Sequence, residues 1–157
     1  MKKYPVFTDD YMNEYNQMTK EERKNCGAVW TPPEIISQMM GKVSDEEWAK
    51  PNDNMLDPTC GTGNIVVSMV LNKIYHGIDP TTAIEHVYGI ELLPHNVKIC
   101  RERLLKIVGN TAKHREIVKK NIVCSDFFLW NIEEWRPYTT KELKELAKTN
   151  KYYKRYV

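Results

Sequence analysis

Three carboxylates and two glycines stand at spacings that suit a ligand site. The run Asp57-Pro58-Thr59-Cys60-Gly61-Thr62-Gly63 follows the short apolar strand end Met55-Leu56 and precedes an apolar helix expected over residues 64–75. Glycine at both 61 and 63 lets the backbone approach a ligand closely, because no Cβ stands in the way. Glu91 lies 28 residues beyond Gly63, at the end of a second strand expected over 86–91. In a doubly wound sheet these two strand ends open on one crevice, and a carboxylate there accepts both hydroxyls of a ribose. The combination specifies a nucleoside-containing ligand. Asp126 follows a third strand, expected over 121–124, and has two readings. Its carboxylate suits the exocyclic amine of an adenine, with Phe127 or Phe128 stacked on the ring. Taken alone it suits a helix cap beside two core aromatics better, but after two other ligand-facing strand ends the ligand reading leads.

The elements that must position these residues follow from periodicity and punctuation. After the helix over 64–75, Gly77 is a natural stop, and residues 81–85 fit one more helical turn. Pro94 opens a helix over 94–108 whose Val97, Ile99, Leu104, Leu105 and Val108 fall at helical spacing before Gly109-Asn110. A helical piece over 111–119 leads into the third strand. Upstream, Pro32-Pro33 opens an amphipathic helix that runs to Met40 and stops at Gly41, and residues 42–53 form a polar connector with one helical turn. Thr19 with Glu22, and Thr139 with Glu142, have capping-box spacing. Strand, helix, strand, helix, strand is the order of a parallel sheet with right-handed crossovers. The expectation is a shortened, Rossmann-like α/β fold with a mainly parallel sheet and flanking helices. It is read as one domain over 1–157, with a helical N-terminal segment over 1–26 and a C-terminal tail with a helix over 129–157.

Composition narrows the classes. The chain has 157 residues, enough to bury roughly two thirds of its unfolded surface, and a net charge of only +2. Residues 139–157 carry six Lys or Arg against two Glu, which suits a solvated helix face or contact with phosphates. Cys26, Cys60, Cys100 and Cys124 form no C-x-x-C pair and, with the four histidines, no zinc spacing, so no metal is expected. Dispersed thiols, no signal-peptide core and no membrane-length apolar run lead to a cytoplasmic expectation, with no membrane contact.

Taken together, these runs resemble the N6-adenine-specific DNA methyltransferases, especially type I modification subunits. Asp57-Pro58-Thr59-Cys60-Gly61-Thr62-Gly63 looks like their first cofactor motif, and Gly27-Ala28-Val29-Trp30-Thr31-Pro32-Pro33-Glu34-Ile35 is similar to their upstream one. Tyr88-Gly89-Ile90-Glu91 matches the ribose motif and Ser125-Asp126-Phe127-Phe128 the adenine-contacting motif, all in the family's order. The resemblance implies S-adenosylmethionine as cofactor and DNA as a partner. It implies that Thr31 and the preceding backbone at Trp30 hold the methionine end, with Asp57 on the amine directly or through water. Gly61 and Gly63 would form the turn beneath the cofactor, and Pro58, Cys60 and Asn64 would belong to the same cofactor site. Glu91 would bind the ribose and Leu92 lie against the adenine, whose pocket Asp126 and Phe127 would complete. A nicotinamide-dehydrogenase reading fits less well, since Val66 stands where the third glycine of G-x-G-x-x-G belongs.

The resemblance stops before the family's catalytic tetrapeptide, Asn or Asp followed by Pro-Pro and Tyr or Phe. Its polar side chain and a backbone carbonyl accept hydrogen bonds from the target amine while the aromatic ring stacks on the flipped base. Trp135-Arg136-Pro137-Tyr138 is the nearest echo, and an arginine offers donors only. The catalytic residues are therefore unknown. With the usual strand order the first strand would lie at or near a sheet edge and need cover. A second copy or a partner subunit that completes the site is expected. The alternative is a SAM-binding module without methyl transfer, acting as a regulatory, sequestering or anti-restriction protein in a restriction-modification setting. An enzyme that degrades the cofactor is a third reading.

Overall fold

The computed structural model describes residues 4–8, 19–25 and 31–157. The chain packs as two compact units, Met1–Cys124 and Ser125–Val157. Trp30, the run Gly27-Ala28-Val29, Cys26 and most of the expected N-terminal helical segment lie outside the described residues.

In the first unit β1 (Met55–Asp57), β2 (Val87–Glu91) and β3 (Ile122–Cys124) form a parallel sheet in the order β1-β2-β3. Asp57 pairs in register with Gly89, and Glu91 with Cys124. The helices are α1 (Lys20–Asn25), α2 (Pro33–Met40), α3 (Asp45–Trp48), α4 (Asn64–Tyr75), α5 (Pro80–Glu85), α6 (Pro94–Val108) and α7 (Ala112–Asn121). This is the expected Rossmann-like α/β fold in shortened form, with helices flanking a three-stranded parallel sheet. Among the described residues β1 is an edge strand, as its place in the usual order implied.

The apolar periodicity buries what it should. Val66, Val67 and Val70 of α4, Val97 and Leu104 of α6 and Val118 of α7 join Val87 and Ile122 of the strands in one core. Burial of aliphatic side chains on this pattern, at about 1.5–3 kcal/mol each, is what holds the helices on the sheet. The segment before the first helices adds to it. Phe7 is buried, its N–H donates to Ser68 Oγ at 3.2 Å, and Asn72 Nδ2 donates to the Pro5 carbonyl at 2.7 Å.

Two strands begin later than the pattern suggested. His86 closes α5, so β2 starts at Val87. Asn121 stays in α7 because its side-chain amide donates to the carbonyls of Ile84 and Glu85 at 2.9 and 3.1 Å, so β3 starts at Ile122. Among the described residues β3 is the other edge, and Arg101 reaches it, Nε donating to the Ile122 carbonyl at 2.9 Å.

The second unit holds a 3-10 turn (Phe127–Leu129), an antiparallel hairpin of β4 (Trp130–Asn131) and β5 (Arg136–Pro137), α8 (Thr140–Thr149) and a C-terminal 3-10 helix (Lys151–Tyr156). The expected capping box is present, with Thr139 Oγ1 accepting from the Glu142 N–H and Glu142 accepting from the Thr139 N–H. Arg136 clamps helix to hairpin through a two-pronged bond to Glu142, at 2.9 and 2.7 Å, and also binds Glu134.

Candidate cofactor site

The turn after β1 is built from its own backbone. The Cys60 N–H donates to the Ile90 carbonyl of β2 at 2.9 Å, the Gly63 N–H closes back on the Cys60 carbonyl at 2.9 Å, and Gly63 then starts α4 as its N-cap. Gly61 and Gly63 have φ of +54° and +98°, a region in which L side chains are strained. A Cβ on Gly61 would meet nothing within 4 Å among the described residues, so this point of the loop is open to a ligand. A Cβ on Gly63 would lie 2.6 Å from Cys100 Sγ, so that glycine is required by close packing.

Glu91 ends β2 and locks onto this loop. Its Oε2 accepts from the Gly61 N–H at 2.9 Å, while Oε1 accepts from the Leu93 N–H at 3.0 Å and Asn96 Nδ2 at 3.3 Å. Asp57 ends β1, is only 8% exposed, and accepts from the Thr59 N–H at 3.1 Å. Burial pushes its carboxyl pKa above the ordinary aspartate value; the Thr59 bond opposes this and the nearby charge of Glu91 reinforces it. A buried carboxylate with a second carboxylate's charge nearby suits a cationic group. Leu92, 61% exposed, offers an apolar surface beside Glu91.

The other sequence-derived residues fall as follows. Pro58 is exposed, and half-buried Thr31 precedes Pro32, the N-cap of α2. Cys60 is buried, and a hydrogen bond with the Cys100 thiol, followed by burial, pushes its pKa well up, as suits a packing thiol. Asn64 is buried at the start of α4.

In the second unit Asp126 caps the 3-10 turn, Oδ1 accepting from the Phe128 N–H at 2.9 Å, and Oδ2 accepts from the Tyr156 hydroxyl at 2.5 Å. The capping geometry is therefore realised, and each oxygen keeps a further lone pair. Phe127 lies edge-on to Phe128 and half exposed, while Tyr152 and Tyr156 stack on Phe128. Arg136, in the nearest echo of the catalytic tetrapeptide, is committed to Glu134 and Glu142.

Two residues of the site were missed by sequence reasoning, Asn96 and Arg103. Both are polar, buried, and on the inner face of α6, seven residues apart. The signal was available: polar residues on an otherwise apolar helix face. Among the described residues no group of three or more His, Cys, Asp or Glu side chains is placed to hold a metal ion, and no helix is long and apolar enough to cross a membrane.

Comparison with known proteins supplies the wider setting. Over 129 residues, 82% of this chain, the sequence is 25% identical to the Type II methyltransferase M.CvrRI of Paramecium bursaria Chlorella virus XZ-6E. The matched region spans only 27% of that relative's length. The family model for N-6 DNA methylases matches residues 2–135, a stretch that takes in the Gly61–Gly63 turn, Glu91 and the loop at Asp126. On that match this chain belongs to the N-6 DNA methylase family.

Proposed function

We propose that this chain binds S-adenosylmethionine and serves the methylation of adenine N6 in DNA, with the catalytic tetrapeptide supplied by residues outside these 157, in a partner subunit. The observation that carries the reading is the pairing of Asp57 and Glu91 around an open glycine turn. S-adenosylmethionine, when bound, supplies a methyl group on a cationic sulfonium, and its amino-acid end carries an ammonium. Asp57 is the natural acceptor for that ammonium, because a cation relieves the burial of its charge. Glu91, held by three donors, keeps one acceptor position on Oε2 for a ribose hydroxyl. Gly61 and Gly63 let the backbone pass beneath the ligand. Leu92 gives the adenine an apolar face, and the order of motifs along the chain assigns Asp126 and Phe127 to the same base. By the same order, Trp30 and Thr31 belong to the methionine end.

Incubation of the purified protein with S-adenosylmethionine and unmethylated DNA, followed by mass spectrometry of every product, tests the assignment. S-adenosylhomocysteine with N6-methyladenine supports methyl transfer. Intact cofactor that co-elutes with the protein supports binding with the catalytic group elsewhere, the alternative in which this chain is a regulatory or sequestering module included. Methylthioadenosine would overturn the reading, since the cofactor would then be the substrate.

A further inference from the structure

The face of α6 that meets the glycine turn is polar. Asn96, Cys100 and Arg103 are 5%, 0% and 4% exposed, and their spacing puts them in one stripe along the helix. Asn96 bonds Glu91, Cys100 packs against Gly63, and Arg103 Nη1 donates to the Thr62 carbonyl at 2.9 Å and to Asn64 Oδ1 at 2.7 Å. On its other side the guanidinium carbon lies 5.1 Å from the centre of the Phe7 ring.

Stabilising α4 does not explain this arrangement. A positive charge beside the first turn of a helix opposes the helix dipole, and a guanidinium is expensive to bury. What Arg103 does hold is the backbone carbonyl of Thr62, the residue between the two glycines, and the side-chain oxygen of Asn64, the first residue of the helix.

We infer that Arg103 is a positioning residue for the cofactor. It fixes the Thr62 carbonyl and Asn64 from below, so that the turn presents its open Gly61 face at a set height against Glu91. With Asn96 holding the Glu91 carboxylate, one helix aligns both halves of the cradle. This rests on the reading of the turn as an S-adenosylmethionine cradle.

The test is calorimetric titration of S-adenosylmethionine into the full chain and its Arg103→Met and Arg103→Lys variants, with hydrogen exchange of the unliganded proteins. Arg103→Met binds roughly tenfold more weakly at a temperature where its circular dichroism is native, and amides of the turn exchange faster while those of α7 do not change. Arg103→Lys, which keeps donors for the Thr62 carbonyl, recovers most of the affinity. Affinity in Arg103→Met within about twofold of wild type overturns the inference. So does accelerated exchange spread evenly over α4, α6 and β2 with binding intact, the mark of a purely structural role. Should Arg103→Met fail to fold, Arg103→Gln takes its place and is expected to lose affinity at least roughly threefold. A wild-type chain that does not bind the cofactor defeats the cradle reading itself, before any variant is compared.

Discussion

The amide of Gly61 donates to the carboxylate of Glu91 across 2.9 Å, joining the turn after the first strand to the end of the second. The same side chain therefore serves the fold and the proposed ligand. Substitutions separate the two by degree. Glu91→Gln keeps one oxygen for the Gly61 N–H but turns its amino group toward the Leu93 amide and Asn96 Nδ2, so it is expected to lose about 1 kcal/mol of stability while binding S-adenosylmethionine about tenfold or more weakly. Glu91→Ala leaves that N–H without its acceptor and should also lower stability by about 1–3 kcal/mol. Thermal denaturation and calorimetric titration of the two variants check the separation.

Asp57 gives the unliganded protein a pH dependence. Its carboxyl is raised above the ordinary value of 3.8, by burial first and by Glu91 as well. The folded chain thus holds this proton more tightly than the unfolded chain does. Its contribution to stability is complete below the ordinary value and is lost as pH rises through the raised one. Asp57→Asn removes that loss, so the variant should melt at a higher temperature than wild type at neutral pH. Binding follows the opposite course: affinity for the cationic cofactor should fall as pH drops through the raised value, and be weak at every pH in Asp57→Asn. Melting curves and titrations across the acid range follow both effects.

Packing around Gly63 makes a separate case. Gly63→Ala places a Cβ 2.6 Å from Cys100 Sγ at a φ of +98°. Overpacking and left-handed backbone together should destabilise the chain by about 2–4 kcal/mol. Adding Cys100→Ala removes the sulfur and leaves the next contact at 3.2 Å, so the double variant should recover part of the loss. A double-mutant cycle measured in urea reads the coupling directly. Strict additivity of the two substitutions would show that the sulfur is not the obstacle.

The C-terminal unit has its own acid limit. Glu142 is held down to about 2 by Arg136 first, and then by the Thr139 amide and hydroxyl. A lowered carboxyl contributes stability above its ordinary value of 4.5, and that contribution is lost as pH falls toward the lowered one. Helical circular dichroism from α8 should therefore persist on acidification below pH 4.5. In Arg136→Gln the loss should begin at higher pH, closer to that ordinary value.

Local chemistry made much of this legible in the sequence. The helices over 64–75 and 94–108 have the bounds that their apolar spacing and flanking Gly and Pro residues indicated. Thr139 and Glu142 form the box that their spacing implied. What escaped were contacts between residues far apart in the chain. Nothing near Arg103 in sequence says that it will meet Thr62, 41 residues earlier, or that Tyr156 will bond Asp126, 30 residues before it. Such partners are set by how the elements pack, and a periodicity argument sees only that a polar residue falls on an apolar face. Strand starts slipped by a residue for a similar reason: the Asn121 side chain spends its donors on α5, which keeps it helical.

Gly89 sits in the middle of β2, and a Cβ there would come within 2.8 Å of Cys60 Sγ, much as Gly63 meets Cys100. Each thiol thus fills the space that a glycine leaves. Across homologues Gly89 and Cys60 should change together: a lineage that gains a side chain at the position of Gly89 must shrink the residue at Cys60, and one that enlarges Cys60 must keep the glycine. Positions 60 and 89 form a couplet whose evolutionary freedom is shared volume, whereas the backbone at Gly63 holds its glycine whatever stands at position 100.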